Sequence, residues 1–110
     1  MELKLSELRA KNRERADLWT PEGVPLSFRG LELAGEVGEA CNHMKKIERA
    51  RLGLKGGDNS EERKQKLATE LADALICVDL IAMDAGIDLG AAVISKFNAT
   101  SFEHGFDVLL

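Results

Sequence analysis

ELAGEVGEA, residues 32–40, and ELADAL, residues 70–75, are the two stretches whose reading decides the fold. Each holds two carboxylates three residues apart, Glu36 with Glu39 and Glu70 with Asp73. On a helix an i,i+3 pair leaves from one face, with Cβ atoms about 5–6 Å apart. Like charges so close destabilise a helix unless a cation sits between them. Both pairs border an apolar stripe, where desolvation raises that cost. The stripe runs Leu33, Val37, Ala40, Met44, Ile47 in the first segment and Leu67, Leu71, Ala74, Val78, Ile81, Ala85 in the second. Every acid stands one residue ahead of a stripe position, so both pairs are expected on the same shoulder of their helices.

The connection between the segments, LGLKGGDNS (Leu52–Ser60), is short and polar, which makes its helices antiparallel neighbours. The first acidic pair lies about 13–16 residues before it and the second about 10–13 after it, so at about 1.5 Å per residue their heights differ by about 5 Å. Four carboxylates are expected to meet on one hairpin. Two solvated acidic faces are the alternative for either pair alone; the match in height and shoulder favours convergence. All-oxygen ligation without His or Cys suits a hard cation, Mg²⁺ or Mn²⁺.

The pattern E-x-x-E, a spacer, then E-x-x-D, set among Leu, Ala and Gly over Leu31–Ile87 and followed by AGIDL, resembles the MazG-like all-α nucleoside triphosphate pyrophosphohydrolases. The resemblance implies magnesium at Glu36, Glu39, Glu70 and Asp73. It also implies cleavage of a nucleoside triphosphate to the monophosphate and pyrophosphate, by attack at the α-phosphorus. It points to a homodimer or a dimer of dimers. SKFNATS (Ser95–Ser101) resembles the Lys/Asn-containing end of that family's last helix, which makes Lys96 and Asn98 candidate phosphate or sugar contacts. Many members carry an Arg shortly after the Asn, where this chain has Ser101.

Composition agrees with a folded helical protein. Of 110 residues, 45% are apolar and 31% charged, with four Phe, one Trp and no Tyr, so the core must be mainly aliphatic. One domain, residues 1–110, fits this length. A net charge of −4 without a Lys/Arg stripe argues against a nucleic-acid partner. No apolar run approaches the ~18 residues of a membrane span, and no signal-peptide core opens the chain, so a cytoplasmic protein is expected. Cys41 and Cys77 fall inside helical patterns and read as reduced, packed thiols.

Taken in order, the pattern predicts an all-α, four-helix chain. The first helix runs from about Leu5 to Trp19 and stops at Thr20-Pro21, because a residue before proline avoids the helical region. PEGVPLS leads into a second helix, from about Leu26 to Arg51. Asp58, Asn59 and Ser60 offer caps for the third, with Asn59 and Glu62 in capping-box spacing. That helix continues to about Ala85, with Gly86 as its left-handed cap. Asp88 caps a fourth helix, Leu89 to about Thr100, and the tail SFEHGFDVLL reads as an arm. No internal repeat is evident beyond the acidic pattern.

Several residues carry two readings. Trp19 is a core anchor or a stacking platform for a nucleobase, and Phe28 is similar, with the core favoured. Lys46, on the acidic shoulder seven residues after Glu39, contacts phosphate or base, or is a solvated lysine. His43 misses the E-x-x-H spacing of di-iron bundles and suits magnesium poorly. Asp79 points to a buried polar contact at a subunit interface. In the reading these observations favour, Glu36 or Glu39 orients or deprotonates the attacking water. A phosphoribosyl-ATP pyrophosphohydrolase-like enzyme and a non-catalytic helical dimerisation module are the rivals.

Overall fold

A computed structural model describes residues 1–110 as four α-helices without a strand. They are α1 (Leu5–Trp19), α2 (Leu26–Arg51), α3 (Glu61–Asp84) and α4 (Leu89–Glu103). No helix is long and apolar enough to cross a membrane. The expected all-α class and the order of elements are therefore observed.

Helix ends follow local chemistry. After α3, Gly86 takes a positive φ of 69°, its N–H reaches the Met83 carbonyl at 3.1 Å, and the Ile87 N–H reaches Ala82 at 2.8 Å. These two bonds satisfy carbonyls that the helix end leaves open. The same arrangement ends α4, with Gly105 at φ 70° and the Phe106 N–H on the Ser101 carbonyl at 2.8 Å. Helix α4 thus runs three residues beyond the expected Thr100 and takes SFE of the tail with it. At its start, Asp88 Oδ1 accepts from the Ala91 N–H at 3.0 Å, as expected.

The start of α3 differs from expectation. Ser60, not Asn59, caps it: Ser60 Oγ accepts from the Arg63 N–H at 3.1 Å. The residue three beyond the cap is then Arg63, so Asn59 and Glu62 do not form the anticipated box. Asp58 reinforces the turn by accepting from the Ser60 N–H at 2.9 Å. That bond, with one from Arg63 among further causes, holds the Asp58 carboxyl below its ordinary range.

The chain divides into two compact units. One comprises Met1–Gly23 with Asp79–Leu110; the other is Val24–Val78. In the first, Asp79 is 1% exposed and is met from α1. Arg9 Nε donates to its Oδ1 at 3.1 Å, and Asn12 Nδ2 donates to Oδ2 at 2.9 Å. Asp79 is buried as the sequence suggested, but its partners belong to the same chain and not to a neighbouring subunit. A lone buried carboxylate is costly, so pairing with a guanidinium and an amide is what makes the position tenable.

The second unit is an antiparallel hairpin of α2 with the part of α3 up to Val78. Asp58 N–H bonds the Lys46 carbonyl at 2.9 Å, Arg63 bonds His43 at 2.8 Å, and Glu70 lies among Glu36 and Glu39. Positions climb along α3 as they fall along α2. Gly57 makes the return tight: a Cβ there would stand 2.6 Å from Ala50 Cα.

The interior row of this hairpin is not the stripe drawn from the sequence. Arg29, Leu33, Glu36, Ala40, His43 and Ile47 are buried or half-buried, whereas Val37 and Met44 stand 45% and 43% exposed. On α3 the inner positions are Arg63, Leu67, Glu70, Asp73, Ala74 and Cys77, with Leu71 53% exposed. Both rows share Leu33, Ala40 and Ile47, so periodicity alone admits either. The return at Gly57 and the Arg63–His43 bond set which edges of the two helices meet. Glu36, Glu70 and Asp73 thus lie in the seam itself and not on its shoulder, whereas Glu39 is exposed.

Candidate metal centre

Glu36, Glu70 and Asp73 converge inside the hairpin, all half-buried, each offering a carboxylate oxygen within 4.8 Å of the others. Glu39, the fourth residue of the motif, is exposed and lies outside this trio, although it neighbours Glu70.

The crowding of carboxylates is felt at Glu70. Hydrogen bonding to Glu39 and then Glu36, with burial and the charge of both, pushes its carboxyl up from 4.5 to about 7. Its Oε2 is buried and has no hydrogen-bond partner. The two facts are consistent, because ionised carboxylates only accept. A proton shared among Glu70 and its neighbours satisfies them, and so does a cation. The donor set is entirely oxygen, partly desolvated and rich in charge, which fits a hard divalent ion.

Cys77 lies just beyond the nest and is buried. Burial first, then the charges of Glu32, Glu36 and Asp73, push its thiol up, with Arg29 pulling the other way. The expectation of a packed, unreactive thiol fits Cys77 and fails for Cys41, which is exposed.

Toward the connection, Arg63 joins three elements of the turn. Its Nε donates to Asp58 Oδ2 at 3.2 Å and its Nη1 to His43 Nδ1 at 2.8 Å. A guanidinium has only donors, so Nδ1 accepts and the imidazole proton sits on Nε2. His43 therefore serves the hairpin as an acceptor. Lys46, half-buried, follows on the same helix.

The remaining candidates, Phe28 apart, belong to the other unit. Trp19 is 78% exposed, with the Arg15 guanidinium 5.6 Å above its ring, so the core-anchor reading does not hold. Phe28 is likewise exposed rather than core. Lys96 is exposed and lines an apolar cleft of about 680 Å³ with Val93, Phe97, Phe106 and Val108. The Asn98 amide is engaged by the tail: its Oδ1 accepts from the Leu110 N–H at 2.8 Å and its Nδ2 donates to the Leu110 carbonyl at 3.3 Å. Ser101, where the resemblance would put an arginine nearby, is buried.

Two residues of the seam escaped the sequence reading, Arg29 and Arg63. Their signal was present. Arg29, Leu33, Ala34, Glu36 and Ala40 recur as Arg63, Leu67, Ala68, Glu70 and Ala74, each 34 positions on. The repeat thus extends beyond the acids. Compared with family models, curated proteins and solved structures, the chain matches none of them.

Proposed function

We propose that this chain is a magnesium-dependent nucleoside triphosphate pyrophosphohydrolase that converts a (deoxy)nucleoside triphosphate to its monophosphate and pyrophosphate, in the manner of MazG-like enzymes that clean the nucleotide pool. The observation that carries the reading is the carboxylate nest: three acids of the quoted motifs meet in a seam, and one buried oxygen has no partner.

In this reading Glu36, Glu70 and Asp73 hold the divalent ion, Mg²⁺ or Mn²⁺. When bound, the ion offsets the charge of the phosphates and stabilises negative charge in the transition state. Glu39 has a different place. It is exposed at the edge of the nest, beside Glu70, which supports assigning the attacking water to it. Glu39 accepts the water proton as the oxygen bonds to the α-phosphorus, and the bond to the bridging oxygen breaks to release pyrophosphate. The exposed ring of Trp19 is available for base stacking and Lys46 and Lys96 for anion contacts. Asn98 becomes available only once Leu110 releases its amide.

The reading includes self-association as a dimer or tetramer. Val37, Met44, Leu71 and Leu75 form exposed apolar surface on the hairpin, more than isolated side chains require. The same observation favours the rival of a non-catalytic dimerisation module, and one experiment separates the two. Pyrophosphate release is measured across a panel of ordinary and damaged (deoxy)nucleoside triphosphates, with and without magnesium. Magnesium-dependent release from at least one is expected; none from any of them, nor from phosphoribosyl-ATP added to the panel, leaves the association module.

A further inference from the structure

The seam of the hairpin has an order of charge that the carboxylates alone do not explain. One heptad before Glu36 on α2 lies Arg29, and one heptad before Glu70 on α3 lies Arg63. Because the helices are antiparallel, the two guanidiniums stand on opposite sides of the nest, each about 10 Å along the seam from its own glutamate. Both are sheltered, with side chains 8% and 13% exposed. Each is tied by neighbours: Arg29 Nη1 lies 3.9 Å from Glu32 Oε1, and Arg63 is held by Asp58 and His43. Asp58 precedes Arg63 on the connection side, whereas Glu32 stands between Arg29 and Glu36 in the chain.

We infer that Arg29 and Arg63 are matched counter-charges that select a metal ion chelated between anionic groups over the bare ion. The inference rests on the metal-centre reading above. Positive charge, a negative nest and positive charge again, in line, is the complement of an anion, a dication and an anion. A metal complex of a di- or triphosphate has that pattern. A free divalent ion does not: it gains from the carboxylates and is repelled by both guanidiniums. Burial sharpens this, since screening by water is reduced around sheltered charges. The two arginines therefore lower affinity for the ion alone and raise it for the ion with its phosphates.

Arg63→Met tests the sign. Binding is measured by calorimetry for Mn²⁺ alone, and for the α,β-methylene analogue of a nucleoside triphosphate in saturating magnesium. Removing one positive charge about 10 Å away should tighten Mn²⁺ binding by about fivefold. Affinity for the analogue should fall by a similar factor. Arg63→Lys, which keeps the charge but loses the planar fork, should stay within about twofold of the parent on both ligands. Arg29→Met should move both affinities in the same directions by a smaller factor, because Glu32, one turn nearer the nest, already offsets part of its charge, and circular dichroism confirms that each variant is folded. If Arg63→Met weakens both ligands or moves neither, the arginine only packs the hairpin and this inference falls by itself. If the parent protein binds no Mn²⁺, the metal-centre reading falls with it.

Discussion

Asp73 separates a metal ligand from a decorative acid more cleanly than its neighbours do. Asp73→Asn keeps volume and one acceptor oxygen and removes a charge from beside Glu70. The metal-free protein should melt at the same temperature or slightly higher. Magnesium affinity should drop sharply and pyrophosphate release by orders of magnitude, with partial recovery at high magnesium. Unchanged turnover at low magnesium would remove Asp73 from the ligand set. Glu70 makes a second prediction through its raised carboxyl. A carboxyl held up in the folded state near 7, against an ordinary 4.5, binds its proton more tightly folded than unfolded. Its contribution to stability is therefore complete below about pH 4.5 and is lost as pH rises through about 7. Metal-free parent protein should gain melting temperature between pH 8 and pH 5 relative to Glu70→Gln. Since ligating carboxylates must be ionised, magnesium binding should weaken over the same descent. Parallel melting curves for parent and variant across that range would show that Glu70 carries no special burden.

At the scale of elements, the hairpin depends on how its turn is built. Ser60 Oγ caps α3 through the Arg63 N–H, and Asp58 braces the turn from before the cap. Ser60→Ala should cost about 1 kcal/mol, the usual worth of a side-chain cap. Asn59→Ala should cost little, because Asn59 is not the cap. Thermal denaturation of the two variants side by side checks this, and equal losses would restore the capping box that the spacing suggested. The turn matters beyond its own stability, because Arg63 is both the residue whose N–H is capped and the one that grips His43. A frayed α3 start would loosen the seam within two turns of Glu70. Element boundaries were legible for a related reason: Thr20-Pro21, Asp88 and Gly86 act on their own backbone within a few residues, and local chemistry of that kind survives any packing.

For the whole molecule, the balance between core and surface is the open account. The buried apolar side chains are Ala40 and Cys77 on the hairpin and Ala82 in the other unit, all small, while Leu71, Leu75, Val37 and Met44 remain exposed on the hairpin. Burial of apolar surface is worth about 25 cal/mol per Å², so the self-association we propose would stabilise the hairpin by covering these side chains. Light scattering should give a mass at least twice the 12.0 kDa of one chain. Leu75→Glu should shift it toward the monomer and lower melting temperature in a concentration-dependent way. An active 12.0 kDa species at working concentration would overturn the association.

The amino-acid sequence by itself determined the helices, nearly all their ends, the antiparallel return of α2 on α3, and the common height of Glu36, Glu70 and Asp73. Each of those depends on spacing along one chain or on a local cap, and a period of 3.6 residues converts spacing into position without knowledge of what packs where. Rotation about the helix axes was decided only by the tertiary structure. Val37 and Glu36 are adjacent and both rows through Leu33 and Ala40 are plausible interiors, so one tight return and one arginine–histidine bond chose between them. The exposure of Trp19, the capture of the Asn98 amide by Leu110 and the pairing of Asp79 with Arg9 and Asn12 have the same origin. They join residues far apart in the chain, or depend on a neighbour's absence, and no local rule encodes which partner a side chain meets once the backbone has folded.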